Sequence, residues 1–226
     1  MANVKSTWQG FVAVVIVTAV MLTPVTMAFA QNSGVRQQGA GKYAQLTAIW
    51  WQWIIEQPAT GNPIFDTTGS DAAKGQPLTD VNVFLLAGSF GGPVTRTFTV
   101  PANTALFFPL LNNLGYAPEP ACRPKIDQNQ VPQLRMLGAQ LIDGMSELHV
   151  VLDGVSLIGS VIRVKSPVFH VTSPDVDSIL GPGTYTAVSD GYWLFLPALA
   201  SGTHTLKFGG TSGDFTVNIT DIINVP

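Results

Sequence analysis

Tyr185-Thr186-Ala187-Val188, Tyr192-Trp193-Leu194-Phe195-Leu196, His204-Thr205-Leu206-Lys207-Phe208 and the run from Phe215 to Ile223 follow one another closely, separated by Asp190-Gly191, Ser201-Gly202 and Gly209-Gly210. Each run is rich in β-branched and aromatic residues, and each separator is a turn former. Such spacing predicts a mainly β chain, an antiparallel β-sandwich or jelly-roll-like single domain, and argues against a βαβ fold. Upstream, Leu148–Leu152, Asp153-Gly154 and Val155–Ile158 form a hairpin signal, because Asp-Gly accommodates the positive φ of a tight primed turn. Val161–Lys165 and Val168–Thr172 continue the pattern around Pro167, and Val81–Leu86, Thr95–Val100 and Thr104–Leu110 begin it. Phe107 and Phe108 fall on opposite faces of a regular strand, so both faces there are expected to be covered.

Two accessory helices interrupt the strands. From Lys42 to Gln57, Tyr43, Leu46, Trp50, Trp53 and Ile54 recur at three- and four-residue steps, and Pro58 stops the run. Trp51 and Ile55 sit on the flank of that helix, roughly 100 to 140° round from Trp50. A second helix, about residues 132–146, starts at Pro132 and carries Leu134, Leu137, Leu141, Ile142 and Met145 as an apolar stripe. Pro58 to Thr79 reads as a long ordered loop, and Asn112 to Gln130 as an irregular loop long enough to be functional. Ser173-Pro174-Asp175-Val176-Asp177 reads as a short helical turn with a serine cap.

Export sets the compartment. Lys5 supplies a positive start, Phe11 to Leu22 an apolar stretch, and Ala28-Phe29-Ala30 a small-x-small cleavage site, so residues 1–30 read as a signal peptide and Gln31 as the mature amino terminus. An uncleaved anchor competes, since the run from Trp8 to Ala30 approaches the ~20 residues needed to span a bilayer, but Pro24 and its flanking threonines weaken it. Residues 31–41 read as a flexible leader and 42–226 as the sandwich domain. The chain's 11 Lys+Arg and 14 Asp+Glu give −3, and loss of Lys5 with the signal makes it −4. That balance, with basic residues thinly spread, argues against nucleic acid and against a polybasic membrane patch. No stable membrane insertion is expected once the signal is removed. A lone Cys122 excludes an internal disulfide and leaves a tolerated thiol or an intermolecular bridge.

Four blocks occur in order: Trp50-Trp51-Gln52-Trp53; Asn62-Pro63-Ile64-Phe65-Asp66 with Gly75-Gln76; Val100-Pro101-Ala102 leading into Ala105-Leu106-Phe107-Phe108-Pro109; and Asp190-Gly191-Tyr192-Trp193 with Ser201-Gly202-Thr203-His204-Thr205-Leu206. In these the chain resembles a group of exported bacterial β-rich proteins, from about Trp50 to the carboxyl end. The resemblance implies one exported domain of bacterial type and carries no activity or catalytic residue. Relatives in that group often bear cysteines near the positions of Asp71 and Phe98, and this chain has neither.

Candidate chemistry is sparse. His149, His170 and His204 could hold zinc together, but alternation sets His204 with Leu206 and Phe208 and His170 with Val168 among packing residues, so each reads as a satisfied or surface histidine. Asp175 with Asp177, and Asp66 with Asp71, could offer oxygens to calcium; capping and turn chemistry account for them more simply. Glu56, Asp66, Glu119 and Asp190 could supply the paired carboxyl groups of a glycosidase. No Gly-x-Ser-x-Gly elbow occurs, and Gly181-Pro182-Gly183 lacks the rest of a dinucleotide loop. The aromatic residues are the strongest remaining signal, since sugar rings stack on exposed Trp or Tyr while nearby polar groups meet their hydroxyls. Trp51, Tyr192 and Trp193, with Asp66 and Asp190 as polar neighbours, are the expected binding residues. Tyr192 and Trp193 should face opposite ways, so at most one of them is expected to be exposed. The expectation is a noncatalytic extracytoplasmic module, periplasmic or secreted, that binds a glycan or another envelope ligand without metal or cofactor. An extracytoplasmic hydrolase with paired carboxylates is the alternative, and a structural or assembly protein a further one.

Overall fold

In the computed structural model, residues 40–77, 79, 82–119 and 130–226 are described, and all belong to one compact unit. The signal peptide, the leader to residue 39 and Cys122 lie outside the described residues. The chain is mainly β, with two helices, α1 (Ala40–Ile55) and α2 (Gln130–Asp143). Ten strands follow in chain order: β1 (Val83–Leu85), β2 (Gly92–Thr99), β3 (Ala105–Pro118), β4 (Met145–Leu152), β5 (Val155–Ser156), β6 (Ile162–Lys165), β7 (Phe169–Ser173), β8 (Gly183–Leu196), β9 (Gly202–Ser212) and β10 (Phe215–Val225). No helix among the described residues is long and apolar enough to cross a membrane.

Two five-stranded sheets form the sandwich. One runs β1-β3-β8-β6, with β7 also on β8; the other runs β2-β10-β9-β4-β5. Most pairs are antiparallel, as expected, and β1 with β3 and β2 with β10 are parallel, so both sheets are mixed. The reason is topological: between β1 and β3 the chain crosses to the other sheet to make β2, and that crossover lets the return strand run in the same direction. Phe108, Leu110, Leu194 and Leu196 from one sheet meet Leu206, Phe208, Ile219 and Ile223 from the other, with the Phe108 and Phe208 rings 4.6 Å apart. Inside this core Asp221 faces Arg96 across the β10–β2 pair, and Arg96 Nε and Nη2 donate to its two oxygens at 2.7 and 2.9 Å. Arg96 Nη2 also donates to the Ala87 carbonyl at 2.8 Å, so the pair ties this sheet to the segment after β1.

Helix α1 covers the outer face of the first sheet. Trp50, Trp53, Ile54 and Ile55 are buried there with Phe107 and Trp193, and the sheet's faces divide Phe107 from Phe108 as the alternation predicts. Ile55 finds its second surface in this cluster because β6 and β7 also lie under the helix. Both tryptophans place their N–H: Trp50 Nε1 donates to the Leu86 carbonyl at 2.8 Å and Trp53 Nε1 to the Lys74 carbonyl at 2.9 Å. The long loop after α1 is thereby held down by the helix itself. The hairpin at Asp153-Gly154 forms as the sequence predicts, with φ of 50° and 83° at the two turn residues.

Four local expectations are corrected. Asn112 to Pro118 is the second half of β3, paired along β8 from Gly191 to Tyr185, where an irregular loop was expected. Asn112, Asn113 and Gly115 interrupt its apolar run and conceal the strand, although β8 satisfies its backbone and Leu114 and Tyr116 pack on the α1 side. Asp190-Gly191 is the interior of β8 and not a turn: Gly191 lies opposite Asn112, and a Cβ there would stand 2.6 Å from Asn112 Cβ and 2.9 Å from the Leu111 carbonyl oxygen. A β-bulge between Pro109 and Leu111 crowds β3 against this point, so the glycine admits a close approach rather than a reversal. Ser173-Pro174-Asp175-Val176-Asp177 makes bends and no helical turn. Ser173 ends β7, and Asp177, at φ 53°, accepts from the Thr60 N–H with its carboxylate and from the Ala59 N–H with its carbonyl. The second helix also stops earlier than expected, because Met145 already opens β4.

Candidate functional site

Two features could meet a ligand: a charged cleft beneath α2 and an exposed aromatic group near the start of β2. The cleft begins with register. Asn113 on β3 pairs with Asp190 on β8, and Asp190 with Lys165 on β6, so the three residues make one row across the sheet. Helix α2 lies over β3 and β8. Alternation in Ile162-Arg163-Val164-Lys165 sends both basic residues to the α2 side, while Val164 joins the core under α1. Arg163 donates from Nε and Nη2 to the two Asp190 oxygens at 3.0 and 2.8 Å, and from Nη1 to Asp143 at the end of α2. The Asp190 hydrogen bonds, with Asp143 adding to them, hold the guanidinium above its ordinary pKa despite its burial. Asn113, Leu134, Arg135, Gly138, Lys165, Val188, Ser189 and Asp190 line the space between helix and sheet, about 210 Å³ counted out to its open mouth.

The aromatic group is built on the turn Asn62-Pro63-Ile64-Phe65-Asp66. Asn62 is buried, donates to the Ile54 carbonyl at 2.8 Å and accepts from the Ile64 N–H at 3.1 Å. Asp66 accepts the N–H groups of Thr68, Gly69 and Asp71 at 2.8 to 2.9 Å, together with the Thr68 hydroxyl. Burial pushes the Asp66 carboxyl up, but these donors outweigh it and hold it below the usual carboxylate range. The Thr97 N–H of β2 donates to the Thr68 carbonyl at 2.8 Å, which pins the loop to the sheet. Phe65 thus projects from a turn fixed on both sides. Its ring lies 5.2 Å from Phe90, and the two residues are 47% and 40% exposed. Phe215, also exposed, lies against Gly91, the neighbour of Phe90.

The residues expected from sequence do not form one site. Trp193 is fully buried, stacked 5.0 Å from Phe107 and edge-on to Trp50 at 5.6 Å, so it offers no face to a ligand. Tyr192 points the other way, as alternation demands, and is half-buried against the sandwich core. Trp51 is half-buried on the α1 flank, edge-on to Trp50 at 5.0 Å. Their apolar area is spent on packing because β8 is covered on both faces. Asp190 is spoken for by Arg163, and Asp66 by its own turn. His170 is a further correction: it lies on the outward face between buried Phe169 and Val171, with Glu119 Oε1 2.6 Å from its Nδ1. His204 Nδ1 is 2.7 Å from Asp153 Oδ2, and its Nε2 is 3.0 Å from the Ala200 carbonyl. Among the described residues no three His, Cys, Asp or Glu side chains gather as a metal site.

Sequence reasoning missed Phe90 and Arg163. The lone aromatic inside Gly88-Ser89-Phe90-Gly91-Gly92 could have drawn attention to the first, and the two basic residues at alternate positions of β6 to the second. No family model, curated protein or solved structure matches the chain.

Proposed function

We propose that this chain is an exported, noncatalytic binding module of a bacterial envelope, taking a glycan or another extracytoplasmic ligand on an aromatic surface. Export rests on the signal-like residues 1–30, and the bacterial assignment on the resemblance of the four sequence blocks. The observation that carries the binding reading is the exposed Phe65–Phe90 pair on a turn tied down by Asn62 and Asp66. Exposed aromatic rings on a rigid support bind with little loss of side-chain freedom, and C–H faces of sugar rings suit them. Engagement of Asp66 and Asp190 by their own neighbours supports binding over hydrolysis with paired carboxylates.

Retention of the purified protein on a panel of immobilised polysaccharides tests this reading. Phe65→Ser with Phe90→Ser should weaken retention about tenfold, the loss of roughly 1.4 kcal/mol of stacking, with thermal unfolding little changed. No retention of the unaltered protein, or equal retention of the double variant, would remove the basis for it.

A further inference from the structure

We propose that the cleft beneath α2 binds an oxyanion, a carboxylate or phosphate group carried by a small ligand, between Arg135 and Lys165. The argument is one of unmatched donors. Among the described residues, the charged groups around the cleft are the cationic Arg135, Arg163 and Lys165 and the anionic Asp143 and Asp190, one positive charge in excess. Arg163 and Asp190 are committed to each other through two hydrogen bonds, so the Asp190 carboxylate is neutralised where it lies. Lys165 stands 3.9 Å from it with a side chain 55% exposed, a loose contact that leaves its ammonium available. Arg135 uses Nη2 on the Ser166 carbonyl at 3.0 Å, and its other N–H groups have no partner among the described residues. The Asn113 amide, at the head of the polar row, likewise has none.

An arginine, a lysine and an amide with donors to spare call for a ligand made of acceptors with negative charge, and a planar guanidinium matches an oxyanion best. The space accords with this. The cleft, about 210 Å³ counted out to solvent, is open at its mouth, so a ligand can bring its charged group in from outside. Gly138 keeps the helix side of the cleft clear, since a Cβ on it would come 3.1 Å from Asn113 Oδ1.

Nuclear magnetic resonance titration of the purified protein with sodium phosphate, and separately with sodium acetate, against sodium chloride at equal ionic strength, decides the matter. A saturable shift of the Asn113 side-chain amide and the Gly138 N–H is expected with at least one oxyanion and not with chloride. The arm that saturates names the group, phosphate or carboxylate. Lys165→Gln, on an exposed side chain, should weaken it about tenfold, and Arg135→Gln at least as much, whereas Lys207→Gln on β9 should leave it unchanged. Absence of saturation with either oxyanion, equal shifts with chloride, or binding untouched by Lys165→Gln in a normally folded protein would overturn the proposal.

Discussion

An aspartate beside a glycine is an ordinary turn former, yet Asp190 lies 5% exposed in the middle of a strand because Arg163 answers its charge. Removing that answer should be costly. Asp190→Ala leaves a partly buried guanidinium with Asp143 as its remaining carboxylate and should cost about 3 kcal/mol in urea unfolding, whereas Asp143→Ala, on an exposed carboxylate, should cost under about 1 kcal/mol. His204 supplies a pH signature at the same scale. Its two ring nitrogens face a carboxylate and a carbonyl, so the imidazolium satisfies both as a donor; the Asp153 hydrogen bond first, then Ala200, raises it above the ordinary 6.5. Asp153 is held below its ordinary 3.8 by His204 and by the Thr205 N–H. The pair's contribution should therefore be complete between about pH 3.8 and 6.5. It should fade as pH rises through the elevated His204 value, or falls through the depressed Asp153 value. A proton titration of His204 with its midpoint above 6.5, moved down by Asp153→Asn, is the expected measurement.

Among the elements, β8 organises the most. Its fourteen residues carry β3 on one side and, end to end on the other, β7 along Gly183 to Ala187 and β6 along Asp190 to Trp193. Pro167 falls between those two short strands, where no ladder hydrogen bond is required of it. The close passage of Gly191 by Asn112 keeps β3 and β8 in register past the bulge, so Gly191→Ala must push backbone and not merely a side chain. Thermal unfolding should show a loss of about 2 kcal/mol or more, with the cleft beneath α2 disturbed because Asp190 is the adjacent residue. A variant as stable as the parent would mean that β3 has room to shift.

For the molecule as a whole, the two sheets and their covering helices form a core large enough to stand without disulfides, in keeping with a chain that has one cysteine. Amino-terminal sequencing of the protein recovered from outside the cytoplasm should begin at Gln31, and far-ultraviolet circular dichroism of that form should be dominated by strand. Recovery of intact Met1 from cytosol would contradict the export reading.

Fold class, the helical face through Trp50 and Trp53, the Asp153-Gly154 hairpin and the division of Phe107 from Phe108 are all properties of period and turn chemistry, which reside in neighbouring residues and are therefore legible in sequence. What Asp190-Gly191, Asn112 to Pro118 and Trp193 become depends on Arg163, on the partner strand and on Trp50, all distant in the chain. Exposure is likewise a property of what lies across from a residue. Phe65 and Phe90 face solvent while Trp193 does not, because α1 closes one face of β8 and nothing among the described residues closes over the turn at Phe65. Local chemistry determined that this chain folds as layered β-sheets; only the meeting of remote segments decided which charges pair and which rings remain exposed.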